Sequence, residues 1–381
     1  MPIYFDNAAT SFPKPESVYK AVDYYLREIG ASPGRGAYRR AAEAEKILYE
    51  TRKLSGKLFN ISDVQRIIFT ANVTESLNLV LKGFLRPGDH VVTSAMEHNA
   101  VWRPLKVLEK EIGLRITVIS CKNGFAPSPD DIKDAVTTKT RLVSFIHASN
   151  VTGTLMPVKE IGKICRHKEV PFLVDAAQTA GAYPLDVVED NISLLAFTGH
   201  KSLLGPTGTG GLYIAPDIEL KPLKEGGTGA DSILENQPEK LPYRFEAGTI
   251  NMAGISGLRA ALDFILDNGL DRIRAYENEL TAYALKKLMD IPGITIYGPR
   301  DADSRLSVIS FNIKDVAAEE VAFVLDEVYE IMVRAGLHCS PQAHHTIGTL
   351  KGGTVRLSFG FFNTIEEINF LCNALTQISA C

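Results

Sequence analysis

Short apolar runs alternate with amphipathic runs along the first two-thirds of the chain. The apolar runs are rich in β-branched and aromatic residues, which predicts strands buried on both faces of a sheet. These predicted strands cover residues 66–70, 90–93, 115–120, 142–147, 172–174, 194–198 and 211–214. Helical runs between them cover 75–84, 102–112 and 159–167, and we expect Thr74 to cap the first. Such alternation is typical of an α/β domain with a mainly parallel sheet.

The pattern changes near residue 250. Helical runs are predicted at 255–268, 271–289, 318–328 and 365–378, and strands at 294–297, 306–313 and 353–359. We therefore expect an α+β arrangement in the C-terminal third. The polar, Gly- and Pro-rich segment 226–248 lies before this change and is expected to be an active-site or interface loop.

Length and composition narrow the class of protein. A chain of 381 residues is longer than one compact core usually holds, so two domains are expected. The net charge of −4 offers no basic excess for nucleic acid or an anionic membrane, and neither is expected as a partner. We expect no secretory signal and no membrane span, because the apolar stretches are short. Five cysteines, an odd number, favour free thiols in a reducing cytoplasm.

Polar residues follow the predicted strands, and ligands of a parallel sheet gather where its strands end. These residues are Thr74, Glu97, His98, Asn99, Ser149, Asn150, Asp175, Gln178, Thr198, His200 and Lys201. Their types suit a site for pyridoxal 5′-phosphate (PLP). Lys201 would bond the aldehyde, Asp175 would keep the pyridine nitrogen protonated, and His98 or Trp102 would stack on the ring.

The same set offers donors for the rest of that cofactor. A phosphate is bound by helix N-termini and hydroxyl groups, as Thr74 and Thr198 provide, with His200 as a further donor. Gln178 would bond the phenolic oxygen. The glycines of 205–211 let the backbone approach a ligand closely, and this segment lacks the Lys-Ser/Thr ending of a nucleotide-binding loop.

Taken singly, these residues have ordinary explanations. An aspartate after a strand is often a helix cap, and a single lysine is mostly a solvated surface residue. The pair His344-His345 lacks further ligands at useful spacing, so no metal site is expected. Residue types and spacing alone leave the PLP site as one candidate among α/β enzymes.

Nine motifs together carry a resemblance to a known family. They are YFDNAAT at 4–10, TESLN at 74–78, MEHN at 96–99, HASNVTGT at 147–154, VDAAQ at 174–178, TGHKSLLGPTGTG at 198–210, FEAGT at 245–249, RAGLHC at 334–339 and VRLSFGFFNT at 355–364. The chain resembles fold-type I, class-V aminotransferase-like PLP enzymes, and within them the Suf-type cysteine desulfurases and selenocysteine lyases. The resemblance implies a large domain, 16–255, with a mainly parallel seven-stranded sheet, and a smaller α+β domain made of 1–15 and 256–381.

The resemblance also implies roles for individual residues. Lys201 would hold the cofactor and move protons, and His98 would stack on the ring and take part in acid–base transfer. The remaining cofactor ligands would be Thr74, Asp175, Gln178, Thr198 and His200, with Thr249 reaching the phosphate of a partner subunit in a homodimer. Asn150 and Arg356 would bind the substrate carboxylate, the arginine as a fork, and Arg35 would face the partner's site.

The sulfur acceptor is the open question. The resemblance leads us to expect a catalytic cysteine directly before Arg356, where this chain has Val355. Cys339, with Arg334 and His338 nearby in sequence, is the leading substitute, and a structural role for it is equally open. The last residue, Cys381, is a weaker candidate for carrying sulfur.

Three functions therefore stay open. One is a cysteine desulfurase that converts L-cysteine to L-alanine and passes sulfur to a thiol as persulfide, with a sulfur-acceptor protein as a further partner. Another is a selenocysteine lyase or a cystine/cysteine C–S lyase that needs no enzyme thiol. The third is a protein that keeps the fold and works by binding sulfur-transfer partners.

Overall fold

The structure is a computed structural model that describes residues 2–34, 36–229 and 233–380. Two regular sheets and a short two-stranded pairing account for its strands. Within these described ranges, every helix is too short or too polar to cross a lipid bilayer.

The larger sheet has seven strands and follows the short N-terminal strand β1 (Ile3–Tyr4). Its strands are β2 (Ile67–Thr70), β3 (His90–Ser94), β4 (Arg115–Ile119), β5 (Thr140–Ile146), β6 (Phe172–Asp175), β7 (Leu194–Thr198) and β8 (Gly210–Ile214). Their order across the sheet is β2-β8-β7-β6-β5-β3-β4. All neighbours pair in parallel except β8, which is antiparallel to both β2 and β7.

Helices cover both faces of this sheet. They are α1 (Glu16–Tyr24, continued by a π-helical turn Tyr25–Ile29), α2 (Arg39–Phe59), α3 (Val73–Phe84), α4 (Asn99–Ile112), α5 (Pro129–Ala135), α6 (Val158–His167) and α7 (Met252–Asn268). Leu77 of α3 and Leu105 of α4 pack in the core on one face. Ile161 of α6 and Leu258 of α7 pack in the core on the other. Apolar strands between two such cores explain why the predicted runs were continuously apolar.

The C-terminal third forms its own core around a smaller antiparallel sheet. Its helices are α8 (Leu270–Met289), α9 (Ala318–Tyr329), α10 (Pro341–Thr346) and α11 (Ile365–Ser379), and its strands are β9 (Ile294–Tyr297), β10 (Val308–Ile313), β11 (Ile331–Met332), β12 (Arg334–Gly336) and β13 (Thr354–Ser358). The sheet order is β12-β13-β10-β9, while β1 pairs in parallel with β11. Phe5 is buried in this smaller core, so the N-terminal segment packs with the C-terminal third.

The structure confirms the α/β region with its mainly parallel sheet and the α+β region that follows. The predicted cap of α3 was wrong, because Asn72 Oδ1 accepts from the Glu75 N–H at 3.0 Å and Thr74 lies inside the first turn. The domain limits after residues 15 and 255 stay predictions. The second of them falls within α7, whose Met252 and Ile255 already pack in the core of the larger sheet.

Candidate active site

Lys201 lies three residues beyond the end of β7, beside the end of β6 at Asp175. Burial lowers the pKa of Lys201 to about 8, and the negative charge of Asp175 opposes that shift. Arg356 lowers the pKa of Lys201 further. A substantial fraction of this amine is therefore neutral near physiological pH, and the neutral amine is the nucleophilic form.

Asp175 is a buried carboxyl group at the carboxyl end of β6. Its Oδ1 accepts a hydrogen bond of 2.9 Å from the Ala177 N–H. Burial raises the pKa of Asp175, while this bond and the charge of Lys201 act to lower it. The carboxylate is thus aligned by the backbone and faces a cation, which suits it to hold a protonated ring nitrogen.

His98 is the N-cap of α4, and its Nδ1 accepts from the Ala100 N–H at 3.0 Å. Burial lowers the pKa of His98 to about 4, and the nearby charges of Lys201 and Arg356 act in the same direction. The ring is neutral at pH 7, and because Nδ1 is an acceptor its proton is assigned to Nε2. His98 is therefore a fixed, uncharged ring at the edge of the site.

The residues expected to bind phosphate come together through a close backbone contact. Gly210 of β8 is the register partner of Thr198, and a Cβ atom on Gly210 would lie 2.7 Å from the carbonyl carbon of Asn72. The absence of a side chain at Gly210 thus allows the N-terminus of α3, where Thr74 is exposed, to approach the end of β7. His200 follows Thr198 by two residues. Its Nδ1 atom is buried and has no hydrogen-bond partner within the described residues.

Two other predicted ligands already make bonds inside the protein. Thr198 Oγ1 donates to the Thr209 carbonyl at 3.3 Å, and Gln178 Nε2 donates to the Ala8 carbonyl at 3.1 Å. Both residues are buried. Their expected bonds to a phosphate and a phenolic oxygen stay predictions.

Arg356 and Arg334 share the carboxylate of Asp6. Arg356 Nη2 donates to Asp6 Oδ1 at 2.7 Å, and Arg334 Nη2 lies 2.9 Å from Asp6 Oδ2. Arg356 is buried, and its Nε has no hydrogen-bond partner in the part of the chain that the structure describes. Two guanidinium groups against one carboxylate leave a positive charge, which suits the binding of a second carboxylate.

Asn150 holds the turn that carries Cys339. Its Nδ2 donates to the His338 carbonyl at 2.7 Å, and its Oδ1 accepts from Ser340 Oγ at 2.6 Å. These bonds use both ends of the amide, so Asn150 positions the turn, and its expected contact with a substrate carboxylate stays a prediction. His338 and Cys339 both have positive φ, at 49° and 57°, in the sparsely populated left-handed region.

Cys339 is exposed, and it lies close enough to Lys201 and Arg334 for an anionic sulfur there to raise the pKa of each. Its carbonyl oxygen accepts from the Asn99 N–H at 2.9 Å, which ties the turn to the start of α4 beside His98. The other described cysteines are buried. Burial raises the pKa of Cys121 and Cys165 to about 12 and that of Cys372 to about 11, so these thiols are unreactive.

Val355 occupies the position where the resemblance led us to look for a cysteine, and its side chain lies away from the site. Val355 is fully buried in the smaller core and faces Phe311 and Ala335 of the neighbouring strands in register. Because successive side chains of a strand point to opposite faces, Val355 faces away from the side of β13 that presents Arg356. A thiol at position 355 would lie in the core, whereas Cys339 lies at the site.

Thr249 ends the FEAGT segment before α7. It is exposed and lines a cleft together with Arg52 and Glu246. The Glu246 carboxylate bonds Arg52 of α2 at 2.5 Å and the Phe69 N–H of β2 at 2.6 Å, which fixes the segment leading to Thr249. Arg35 and Cys381 lie outside the described residues.

Sequence reasoning gave no role to several residues at the site. Asp6 lies in the YFDNAAT motif, which was matched as a whole without a function for its carboxylate. Glu97 is fully buried between strand ends, where its Oε1 accepts from Ser94 Oγ at 2.5 Å and from the Ile146 N–H at 2.9 Å. Burial raises the pKa of Glu97 to about 8, so it carries a proton at pH 7. The position of Glu97 shortly after an apolar predicted strand is the feature of the sequence that could have identified this residue.

The residues present fit PLP. The unpartnered His200 Nδ1 and the N-terminus of α3, which Gly210 allows to lie close to the end of β7, offer donors for a phosphate. The carboxylate of Asp175 and the amine of Lys201 interact across the site, as a pyridine nitrogen and an aldehyde on one ring require. Within the described ranges, the histidines, cysteines and carboxylates form no group of three or more that could hold a metal ion.

Comparison with known proteins agrees with this arrangement. The Aminotransferase class-V family matches residues 3–371. A probable cysteine desulfurase of Methanothermobacter thermautotrophicus is 39% identical, covering 99% of this chain and 94% of that protein. A cysteine desulfurase of Salmonella agona is 34% identical, with 99% and 94% covered.

Solved structures show the same likeness over the whole fold. The apo structure of a cysteine desulfurase from Thermococcus onnurineus superimposes with a TM-score of 0.94 at 34% identity, covering 100% of this chain and 95% of that chain. The Escherichia coli cysteine desulfurase CsdA gives a TM-score of 0.88 at 28% identity, with 99% and 94% covered. The fold is thus the fold-type I architecture that the motifs implied, and the chain belongs to the class-V aminotransferase family.

Proposed function

We propose that this protein is a PLP-dependent cysteine desulfurase that converts L-cysteine to L-alanine and transfers the sulfur to Cys339 as a persulfide. The observation that carries the proposal is the position of an exposed thiol, Cys339, in a turn that Asn150 and the Asn99 N–H hold at the start of α4, near the buried amine of Lys201. A lysine of lowered pKa and an accessible thiol are the two nucleophiles this reaction requires. Relatives named cysteine desulfurase over nearly the full length support the same function.

The cofactor would be held by residues of the larger sheet. Lys201 would bond its aldehyde, Asp175 its ring nitrogen, Gln178 its phenolic oxygen, and His98 would stack on its ring. Thr74, Thr198 and His200 would bind its phosphate, with Thr249 from a second copy of the chain. When bound, PLP supplies an electron sink for the bonds to the substrate α-carbon.

Residues of the chain would bind the substrate and move its protons. Arg356 orients the substrate carboxylate, and Arg334 and Asp6 hold Arg356 in place. The Lys201 amine accepts the α-proton of cysteine and later returns a proton to the alanine carbon. The neutral His98 holds a proton on Nε2 beside the reacting groups and carries no charge that would repel Lys201.

Cys339 completes the transfer. Its thiolate attacks the substrate sulfur, so a sulfur–sulfur bond forms while the substrate carbon–sulfur bond breaks and its electron pair stays with the carbon. Cysteine and the Cys339 thiol thus become alanine and a Cys339 persulfide, with no outside oxidant or reductant. An exposed turn lets a sulfur-acceptor protein or a small thiol collect this sulfur. We further propose a homodimer acting in the cytoplasm.

Product analysis tests the proposal. With L-cysteine and a reductant, we expect alanine and sulfide in equal amounts, and little pyruvate or ammonia. Cys339→Ala should abolish sulfide release, while Cys381→Ala serves as the control thiol variant and should keep it. Pyruvate and ammonia as the main products would show a β-eliminating lyase, and full activity of Cys339→Ala would exclude Cys339 as the acceptor.

A comparison of substrates tests the lyase alternative. If the protein were a selenocysteine lyase, kcat/KM for selenocysteine would exceed that for cysteine by several orders of magnitude and would survive Cys339→Ala. For a desulfurase, we expect turnover of cysteine to require the Cys339 thiol.

A further inference from the structure

The carbonyl oxygen of His200 is contacted by several donors of the N-terminal segment. The Ser11 N–H lies 3.0 Å from it, Thr10 Oγ1 3.1 Å, Ser11 Oγ 3.2 Å and Lys14 Nζ 3.4 Å. This carbonyl belongs to the peptide bond that joins His200 to Lys201. The segment therefore fixes the backbone directly at Lys201, although it lies almost two hundred residues away along the chain.

Lys14 also acts on this carbonyl through Ser11. Its Nζ donates to Ser11 Oγ at 3.0 Å and to the Ser11 carbonyl at 3.2 Å. With a lone pair of the Ser11 hydroxyl engaged by an ammonium group, the hydroxyl hydrogen is directed to the His200 oxygen. Lys14 thus orients the hydroxyl and adds a direct contact of its own.

Lys14 is half-buried and takes part in no salt bridge within the described ranges. Burial lowers the pKa of Lys14 to about 8, and its charge contributes, after burial and Lys201, to the low pKa of His200. A lysine that only served solubility would extend into water. Here the ammonium group is directed at uncharged oxygens of Ser11 and His200.

The same segment reaches the other parts of the site. Asp6 binds Arg356, and the Ala8 carbonyl accepts from Gln178 Nε2 at 3.1 Å. The segment from Asp6 to Lys14 thus contacts Arg356 and Gln178, which are proposed for the substrate carboxylate and the phenolic oxygen, and the peptide bond that leads into Lys201. A displacement of this segment would move all three relative to one another.

We propose that Lys14 and Ser11 are positioning residues for Lys201, which hold the His200–Lys201 peptide in the orientation that directs the Lys201 amine toward the cofactor. The inference rests on the proposed role of Lys201. It assigns Lys14 an indirect effect, through the backbone, with no contact to cofactor or substrate.

The test uses cofactor-free protein to which PLP is added, and follows the absorbance of the lysine-bound cofactor. Lys14→Met keeps the apolar stem and removes the donors. We expect its capture of PLP to be about tenfold slower, which is the size of one lost charge-assisted hydrogen bond. Lys14→Arg should restore most of the rate, and Ser11→Ala should give a similar loss. Lys20→Met, at an exposed position of α1, is the matched control and should equal the native protein.

Two results distinguish a failure of the positioning role from a failure of the proposed function. If native protein captures PLP and Lys201→Ala does not, but Lys14→Met and Ser11→Ala both capture it at the native rate, the positioning role is wrong while Lys201 stands. If Lys201→Ala captures PLP as the native protein does, the proposed function itself fails. Should Lys14→Met not fold, Ser11→Ala and the rescue by Lys14→Arg decide the outcome, with thermal melting as the check on folding.

Discussion

The Asp6 carboxylate and the Arg356 guanidinium are joined at 2.7 Å between residues 350 positions apart in the chain. Arg356 is buried in this pair, and Asp6 also binds Arg334. A buried guanidinium needs its donors satisfied, yet Arg356 Nε has no partner within the described residues. The pair therefore fixes Nη2 of the Arg356 guanidinium and leaves its Nε as a donor for a carboxylate ligand.

Replacement of Arg356 by lysine tests this use of the fork. The substitution keeps the charge and loses the planar set of donors, so it removes the bond to Asp6 or the bond to substrate. We expect KM for cysteine to rise about tenfold to a hundredfold, as the loss of a bidentate charged contact predicts. Steady-state kinetics would measure it. An unchanged KM would mean that Arg356 serves Asp6 alone.

The rate of PLP capture should depend on pH through Lys201. Its folded pKa is lowered to about 8 by burial, and only the neutral amine is nucleophilic. Below pH 8 the rate should therefore fall about tenfold per pH unit, and above pH 8 it should level off. Stopped-flow absorbance of cofactor-free protein from pH 6 to pH 10 would give the midpoint.

The variant Asp175→Asn tests the direction in which Asp175 shifts the pKa of Lys201. The charge of Asp175 raises the pKa of Lys201, so its removal should move the midpoint of the same profile to lower pH, whatever happens to the maximal rate. A midpoint near the usual lysine pKa in the native protein, or a shift to higher pH in Asp175→Asn, would contradict this account.

The sheet and part of the site could be predicted because they depend on local patterns. Continuous apolar runs identified β5 and β7, and the rule that ligands gather at strand ends led to Asp175 and Lys201. The cap of α3 was missed because Val73 places an apolar residue first in the helix and moves the cap back to Asn72. A contact between distant segments, such as that of Asp6 with Arg356, produces no regular spacing in the sequence from which it could be predicted.

The position of Val355 shows the same limit of sequence spacing. Val355 stands next to Arg356 in sequence, but the alternation of a strand directs the two side chains to opposite faces. Cys339 is distant from Lys201 in sequence and near it in space because Asn150 and Asn99 hold its turn. Proximity to Arg356 in sequence therefore does not bring a side chain to the same face of the strand.

Val355→Cys tests that geometry directly. The new thiol would lie in the smaller core, so we expect it to resist a thiol-specific reagent in the native protein and to leave Cys339→Ala inactive. The change in volume is small, so the free energy of unfolding should fall by less than about 1.5 kcal/mol. Recovery of sulfide release in the double variant would show that position 355 reaches the substrate after all.

Mixed dimers test whether Thr249 acts on a neighbouring subunit. Thr249 is exposed and lines a cleft with Glu246 and Arg52, and we propose that it reaches the phosphate bound by a second copy of the chain. Lys201→Ala alone should be inactive, and Thr249→Ala should bind PLP more weakly. In a dimer of the two variants, one site has both an intact Lys201 and an intact Thr249. After the variants are unfolded and refolded together, we therefore expect tight PLP binding and activity to return at up to about half of the dimers. Refolding each variant alone is the control, and a mixture no better than the sum of its parts would place Thr249 outside the partner's site.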